Sequence, residues 1–142
     1  EPVTVVLSVG KDFDISRLGN IPENFIVKNL IPQITVLKQA SLFITHGGMN
    51  SVSEAMIHGV PMLVIPFVSD QPVNARQVEK LGLGKVLDYK TITANALRDA
   101  AFAVMEDQQI RGNLRKIQEE IARAPGNAGA VGIIEAYYRG KQ

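Results

Sequence analysis

Hydrophobic and polar positions along this chain change period several times, and each change marks an element. Val3 to Val9 (VTVVLSV) is continuous in β-branched and apolar residues, which predicts a first strand in a central rather than an edge position. Gly10-Lys11-Asp12 ends it, a turn lies within Gly19 to Asn24, and Phe25-Ile26-Val27 reads as a second short strand. The stretch between these strands is too short for a full crossover helix plus another strand. After Pro32, Gln33 to Ala40 predicts a short helix with Ile34 and Leu37 inward.

Leu42 to Thr45 is an apolar run of strand length, followed by a His46-Gly47-Gly48 turn. From Ser51 the spacing becomes helical. Val52, Ala55, Met56 and Gly59 form one face, Gly59 stands where a left-handed cap is wanted, and Pro61 prevents continuation. Met62 to Ile65 is another buried strand, closed by Pro66. A helix over 72–81 ends at Gly82, and a last strand lies around Lys85-Val86-Leu87. Thr93 caps a helix with Ala94, Leu97, Ala101 and Val104 on one face. Ile110, Leu114, Ile117 and Ile121 line a longer one that stops at Pro125-Gly126, with Arg111, Lys116 and Glu119 on its solvated side. The final helix, 128–138, has Val131, Ile134 and Tyr138 as apolar positions. Serial βα units with short strands covered on both faces imply an α/β fold, a parallel sheet flanked by helices.

Composition narrows the function without choosing one. The 142 residues suit one domain with a proper core, on a prior of roughly 100–200 residues per domain. Fifteen basic and fourteen acidic side chains leave a net charge of +1, and they are interspersed, which gives no nucleic-acid or membrane surface. No apolar run approaches the roughly 20 residues of a membrane span. The absence of cysteine excludes disulfides, thiolate metal sites and a cysteine nucleophile, and fits a cytoplasmic setting.

Candidate chemistry gathers at strand ends. In a parallel sheet of this kind ligands sit beyond the carboxyl ends of the strands, where His46, Gly47, Gly48, Asn50, Ser51, Asp70 and Gln71 fall. Glycines allow close backbone approach, and the N–H groups opening a helix attract an anion such as a diphosphate. Structural roles stand beside these: Ser51-x-x-Glu54 is also a capping box, Asp70 is also a helix cap ahead of Pro72, and a histidine after a strand is often purely structural. The spacing is neither G-x-G-x-x-G nor the G-x-x-x-x-G-K-[ST] phosphate loop. Convergence of the polar clusters on one sheet edge favours a nucleotide site.

Thr45-His46-Gly47-Gly48-Met49-Asn50-Ser51, Glu54, Gly59-Val60-Pro61, Pro66 and Asp70-Gln71 resemble the donor-binding signature of the UDP-glycosyltransferase superfamily, closest to bacterial macrolide-type enzymes. Pro32-Gln33 followed by Val36-Leu37 fits the same pattern, and the resemblance runs from Val3 nearly to the end. It implies the C-terminal half of a two-domain GT-B glycosyltransferase, an α/β fold with a Rossmann-like parallel sheet and flanking helices, with residues 1–142 as the donor-binding domain and an N-terminal half holding the acceptor. Compared with that family, VVLSVGK followed so soon by IPENFIVKNLIPQ matches the second strand of the donor half rather than the first. The first strand and its helix are therefore expected to be missing from a 3-2-1-4-5-6 sheet, leaving a gap that is filled by another copy or by rearrangement.

The roles that follow are those the resemblance implies. His46 would hydrogen-bond a donor phosphate; Asn50, Ser51 and the amides from Gly48 to Ser51 would hold the remaining phosphate oxygens. Glu54, with Gln33, would take the ribose hydroxyls. Asp70 and Gln71 would take hydroxyls of the transferred hexose, and glutamine at this position accompanies glucose donors in related plant enzymes, so UDP-glucose is the expected donor. Ser8 and the backbone around Ile31 would contact uracil. Leu30 replaces the usual stacking aromatic, which leaves a thymidine nucleotide open. No metal or other cofactor is expected. The general base of the family lies in the acceptor half, and His58, near a helix C-terminus, is read as structural or exposed. This chain alone is thus expected to bind donor without catalysing transfer. For Tyr137 and Tyr138 core packing is expected, with a contact between copies as the alternative. Beside the donor half of an inverting glycosyltransferase with a small lipophilic acceptor stand two other readings. One is a free-standing nucleotide-sugar-binding subunit that joins a separate acceptor chain; the other is a nucleotide-sugar epimerase, disfavoured by Asp70-Gln71.

Overall fold

The short apolar runs all become strands in the computed structural model, which describes residues 3–140. The chain divides into two compact units, one ending at Ala40 and the other beginning at Ser41.

In the first unit β1 (Val5–Ser8) pairs in parallel with β2 (Phe25–Lys28), with Val5 opposite Phe25 and Ser8 opposite Lys28. A parallel pair needs a long crossover. Here it carries a single 3-10 turn, Ile15–Leu18, whose cap Asp14 accepts hydrogen bonds from the backbone N–H of Ser16 at 3.0 Å and from its hydroxyl at 2.7 Å. The Asn29 carboxamide donates to the carbonyls of Gly10 at 2.9 Å and Phe13 at 2.7 Å, closing the loop after β1 onto the end of β2. The expected central place of β1 is corrected. Among the described residues it pairs only with β2, and Val6 and Leu7 are 36% and 37% exposed, because one paired strand leaves its other edge and much of its faces open. Helix α1 (Gln33–Leu37) is shorter than expected: Leu37 is buried, while Ile34 is 48% exposed rather than inward. A helix this short covers a core with a single turn.

The second unit holds a parallel sheet in the order β3 (Phe43–Thr45), β4 (Met62–Val64), β5 (Gly84–Val86), with Thr45, Val64 and Val86 in register. β4 lies between its neighbours, and its three side chains are fully buried. Between these strands run α2 (Met49–His58) and α3 (Gln71–Lys80). Two right-handed crossovers stepping in the same direction place their helices on one face, and α2 and α3 do pack together. α4 (Ala94–Glu106) packs on β4 and β5, capped by Thr93, whose Oγ1 accepts from the Ala96 N–H at 3.2 Å. α5 (Gln108–Arg123) buries Ile110 and Leu114 and reaches α2, where the Gln118 amide donates to the Ile57 carbonyl at 2.9 Å. α2 ends at Gly59 in the left-handed conformation (φ 67°, ψ 31°), as its place after the apolar face predicts.

The last helix, α6 (Gly126–Arg139), departs from expectation. Val131, Ile134, Tyr137 and Tyr138 are 53%, 57%, 60% and 68% exposed, so neither tyrosine packs into a core. An apolar stripe needs a second apolar surface, and the strands of this unit already carry α3 and α4. Among the described residues the strands form two separate sheets, β1 with β2 and β3-β4-β5, one in each unit.

Candidate functional site

Both βα connections of the second unit leave at the carboxyl edge of the sheet, and the polar residues collect there. β3 ends in buried Thr45, whose Oγ1 accepts the Gly47 N–H at 3.2 Å. Gly47 has φ +85°, and a Cβ on it would stand 2.7 Å from Val64 Cγ1 of β4, so both its conformation and its space demand glycine. Gly48 is the N-cap of α2 in ordinary extended geometry (φ −62°, ψ 142°), and as a glycine it brings no side chain to the cap. The His46 imidazole lies over it: Nε2 is 2.7 Å from where a Gly48 Cβ would stand. His46 and Asn50 are exposed, and Ser51 and Glu54 are half-buried. The opening N–H groups of α2, at the positive end of the helix dipole, therefore share an edge with His46 and Asn50.

Helix α2 begins two residues before the expected Ser51, because Gly48 takes the cap position. Ser51 is the third helical residue, so the capping-box reading of Ser51 and Glu54 does not hold. Glu54 follows Asn50 by one turn, on the helix that packs beside α3.

The second cluster lies between β4 and α3. Asp70 occupies the N-cap position of α3 with helical backbone angles and makes no cap hydrogen bond. Its Oδ2 instead accepts from Asn74 Nδ2 at 2.9 Å. Gln71 Oε1 accepts from the backbone N–H groups of Phe67 at 2.9 Å and Val68 at 3.1 Å. That holds a loop in which Ser69 has φ 61°, a left-handed value for a residue other than glycine. The carbonyl end of Gln71 is thus committed to the loop.

The structure brings His46, Gly47, Gly48, Asn50, Ser51, Glu54, Asp70 and Gln71 together in one unit, on two neighbouring connections of one sheet, with Glu54 and Asp70 on helices of the same face. Ser8, Ile31 and Gln33 belong to the first unit. The Ser8 hydroxyl donates to the Asn29 carbonyl at 3.2 Å, Ile31 is half-buried beside Leu30, which is 69% exposed, and Gln33 opens α1. His58 closes α2 at the end away from the bend. Among the described residues no three His, Cys, Asp or Glu side chains form a metal-holding group, and no helix is long and apolar enough to cross a membrane.

Sequence reasoning missed Asn74. It is only 6% exposed and donates to the Gly47 carbonyl at 2.9 Å as well as to Asp70. Its signal was present: a polar residue on the inward stripe of α3 with Ala75 and Val78, four residues after Asp70.

Comparison with known proteins places this geometry. The family model for the C-terminal domain of erythromycin biosynthesis protein CIII-like proteins matches residues 4–137. The chain is similar to NDP-glycosyltransferase YjiC of Bacillus subtilis (strain 168), 42% identical over 135 residues that make up 95% of this chain and 34% of that protein. It is also similar to the uncharacterized UDP-glucosyltransferase YojK of the same organism, 44% identical over 133 residues, 93% of this chain and 33% of that one. The crystal structure of the kitacinnamycin glycosyltransferase superposes with a TM-score of 0.88 at 38% identity, covering 94% of this chain and 34% of its own. The chain spans about a third of the length of the curated relatives it matches. With a family model covering nearly every residue, the chain belongs to the erythromycin biosynthesis protein CIII-like C-terminal domain family, the C-terminal half of GT-B glycosyltransferases.

Proposed function

We propose that this chain binds the nucleotide-sugar donor of an inverting glycosyltransferase, with UDP-glucose as the donor and a small lipophilic acceptor held by an N-terminal half. The observation that carries this reading is the start of α2 on a glycine N-cap behind the Gly47-Gly48 bend, with His46 and Asn50 exposed beside it. Two relatives support it by the nature of their donors, one described as an NDP-glycosyltransferase and one as a UDP-glucosyltransferase.

The diphosphate sits on the opening amides of α2. The helix dipole contributes about 0.3–1 kcal/mol per charge there. Hydrogen bonds from His46, Asn50 and Ser51 to charged oxygens contribute about 1.5–3 kcal/mol each. Glu54, one turn along α2, accepts from the ribose hydroxyls. Asp70 accepts from the hexose hydroxyls and the Gln71 amide donates to one.

During transfer the acceptor oxygen attacks the anomeric carbon from the side opposite the diphosphate. The bond between that carbon and the phosphate oxygen breaks, and its electron pair leaves on the diphosphate. The acceptor proton goes to a base outside this chain. Donors already aimed at the phosphates stabilise the growing negative charge and make a metal ion unnecessary.

Calorimetric titration with UDP, UDP-glucose, dTDP and UMP, with magnesium and with a chelator, tests the reading. UDP should bind at least about tenfold more tightly than UMP, equivalent to about 1.4 kcal/mol. Chelation should change little, and Glu54→Ala should weaken UDP more than Asp70→Ala does. Equal affinities for UMP and UDP would remove the phosphate role of the bend.

A further inference from the structure

Asp70 stands at a helix start, yet it is not used as a cap. Its carboxylate is held by a single side chain, the buried carboxamide of Asn74, whose two N–H groups point to Asp70 Oδ2 and to the Gly47 carbonyl, both at 2.9 Å. A primary amide has two donors, and here one serves each connection. Gly47 is in turn tied through its N–H to Thr45 Oγ1 at 3.2 Å. A continuous chain of hydrogen bonds thus runs from the end of β3, through the bend, to the carboxylate that opens α3.

We infer that Asn74 is the positioning residue that locks the sugar-facing carboxylate of Asp70 to the diphosphate-facing bend, so that the two subsites act as one. The inference rests on the donor reading above. Asn74 itself touches no ligand: burial keeps it behind Gly47. Its effect is to aim Asp70 outward and to hold the Gly47 carbonyl inward, leaving the amides that follow directed at the phosphates. Without it Asp70 is released to the solvent or to the cap position of α3, its ordinary alternative.

The test is a double-mutant cycle read by calorimetry, using UDP-glucose and UDP with the wild-type chain, Asp70→Ala, Asn74→Ala and the double variant. Residues in one hydrogen-bond network are non-additive, and the expected coupling is about tenfold: Asp70→Ala should weaken UDP-glucose about tenfold less once Asn74 is alanine. Asn74→Ala should weaken UDP-glucose more than UDP. Effects of Asp70→Ala and Asn74→Ala that multiply within about twofold would overturn the inference, as would equal losses for both ligands.

Should Asn74→Ala fail to fold, the wild-type chain answers by nuclear magnetic resonance. Exchange of the two Asn74 amide protons should slow more with UDP-glucose than with UDP, and no difference between the ligands would overturn the proposal. If the wild-type chain binds neither ligand, the donor reading fails and this inference with it. If it binds both in an Asp70-dependent way without coupling to Asn74, only the inference fails.

Discussion

Replacing Gly47 and Gly48 by alanine, one at a time, separates two glycines that look equivalent in the sequence. At Gly47 the backbone has φ +85°, and the new Cβ would stand 2.7 Å from Val64 Cγ1, a side chain with no exposure and no room to retreat. The left-handed backbone costs a residue with a β-carbon about 1–2 kcal/mol. Overpacking against a closed core adds about 1–3 kcal/mol. Gly47→Ala should therefore destabilise by about 2–5 kcal/mol, which at about 4 °C per kcal/mol lowers the melting temperature by about 8–20 °C. Gly48 has an ordinary φ of −62°, and its added Cβ meets only His46 Nε2, the far end of an exposed side chain that can swing away. The glycine preference at an N-cap leaves a cost under about 1 kcal/mol. Under the proposed function, moving His46 removes a charge-assisted hydrogen bond to phosphate, so UDP should bind about tenfold or more weakly. Thermal unfolding followed by circular dichroism, paired with UDP titration, reads both effects. A Gly47→Ala protein melting within about 3 °C of wild type would refute the packing reasoning, because even the backbone term alone predicts more. Equal destabilisation by both substitutions would refute the distinction between the two positions.

The strands were legible because parallel strands buried on both faces read as unbroken apolar runs, as Met62 to Val64 does. Gly59 and Thr93 were legible as caps because each of those ends depends on a local backbone or hydroxyl requirement. The start of α2 was not. Ser51 has the side chain of a cap, but the helix opens on Gly48, and residue type does not reveal that a glycine takes the cap position. Asp70 misled in the opposite way: it stands at the cap position with its carboxylate turned to Asn74. The second partner of Asn74, Gly47, is 27 residues away, and a hydrogen bond across that separation leaves no periodic trace. For α6 the pattern correctly announced an apolar surface, but an amphipathic stripe does not state what covers it. β1 has the composition of a buried strand and is paired on one side among the described residues; composition reports an environment, and strand order decides how much of it is present.

Substitutions at two further positions probe the loop after β4 and the residue that the resemblance places against the base. Ser69→Gly should relieve the left-handed strain at φ 61° and stabilise by about 1 kcal/mol, whereas Ser69→Val should destabilise by at least as much; differential scanning calorimetry of the pair checks the sign. Leu30→Trp restores an aromatic face where the resemblance expects one, at a side chain 69% exposed and therefore free of packing cost. Stacking of a base on an aromatic ring contributes about 1–3 kcal/mol, so nucleotide affinity should rise about fivefold to a hundredfold. Because the base is common to UMP, UDP and UDP-glucose, the gain must be the same for all three. A gain confined to the diphosphates would mean that position 30 acts on the phosphates rather than the uracil, and no gain at all would remove Leu30 from the base-binding surface.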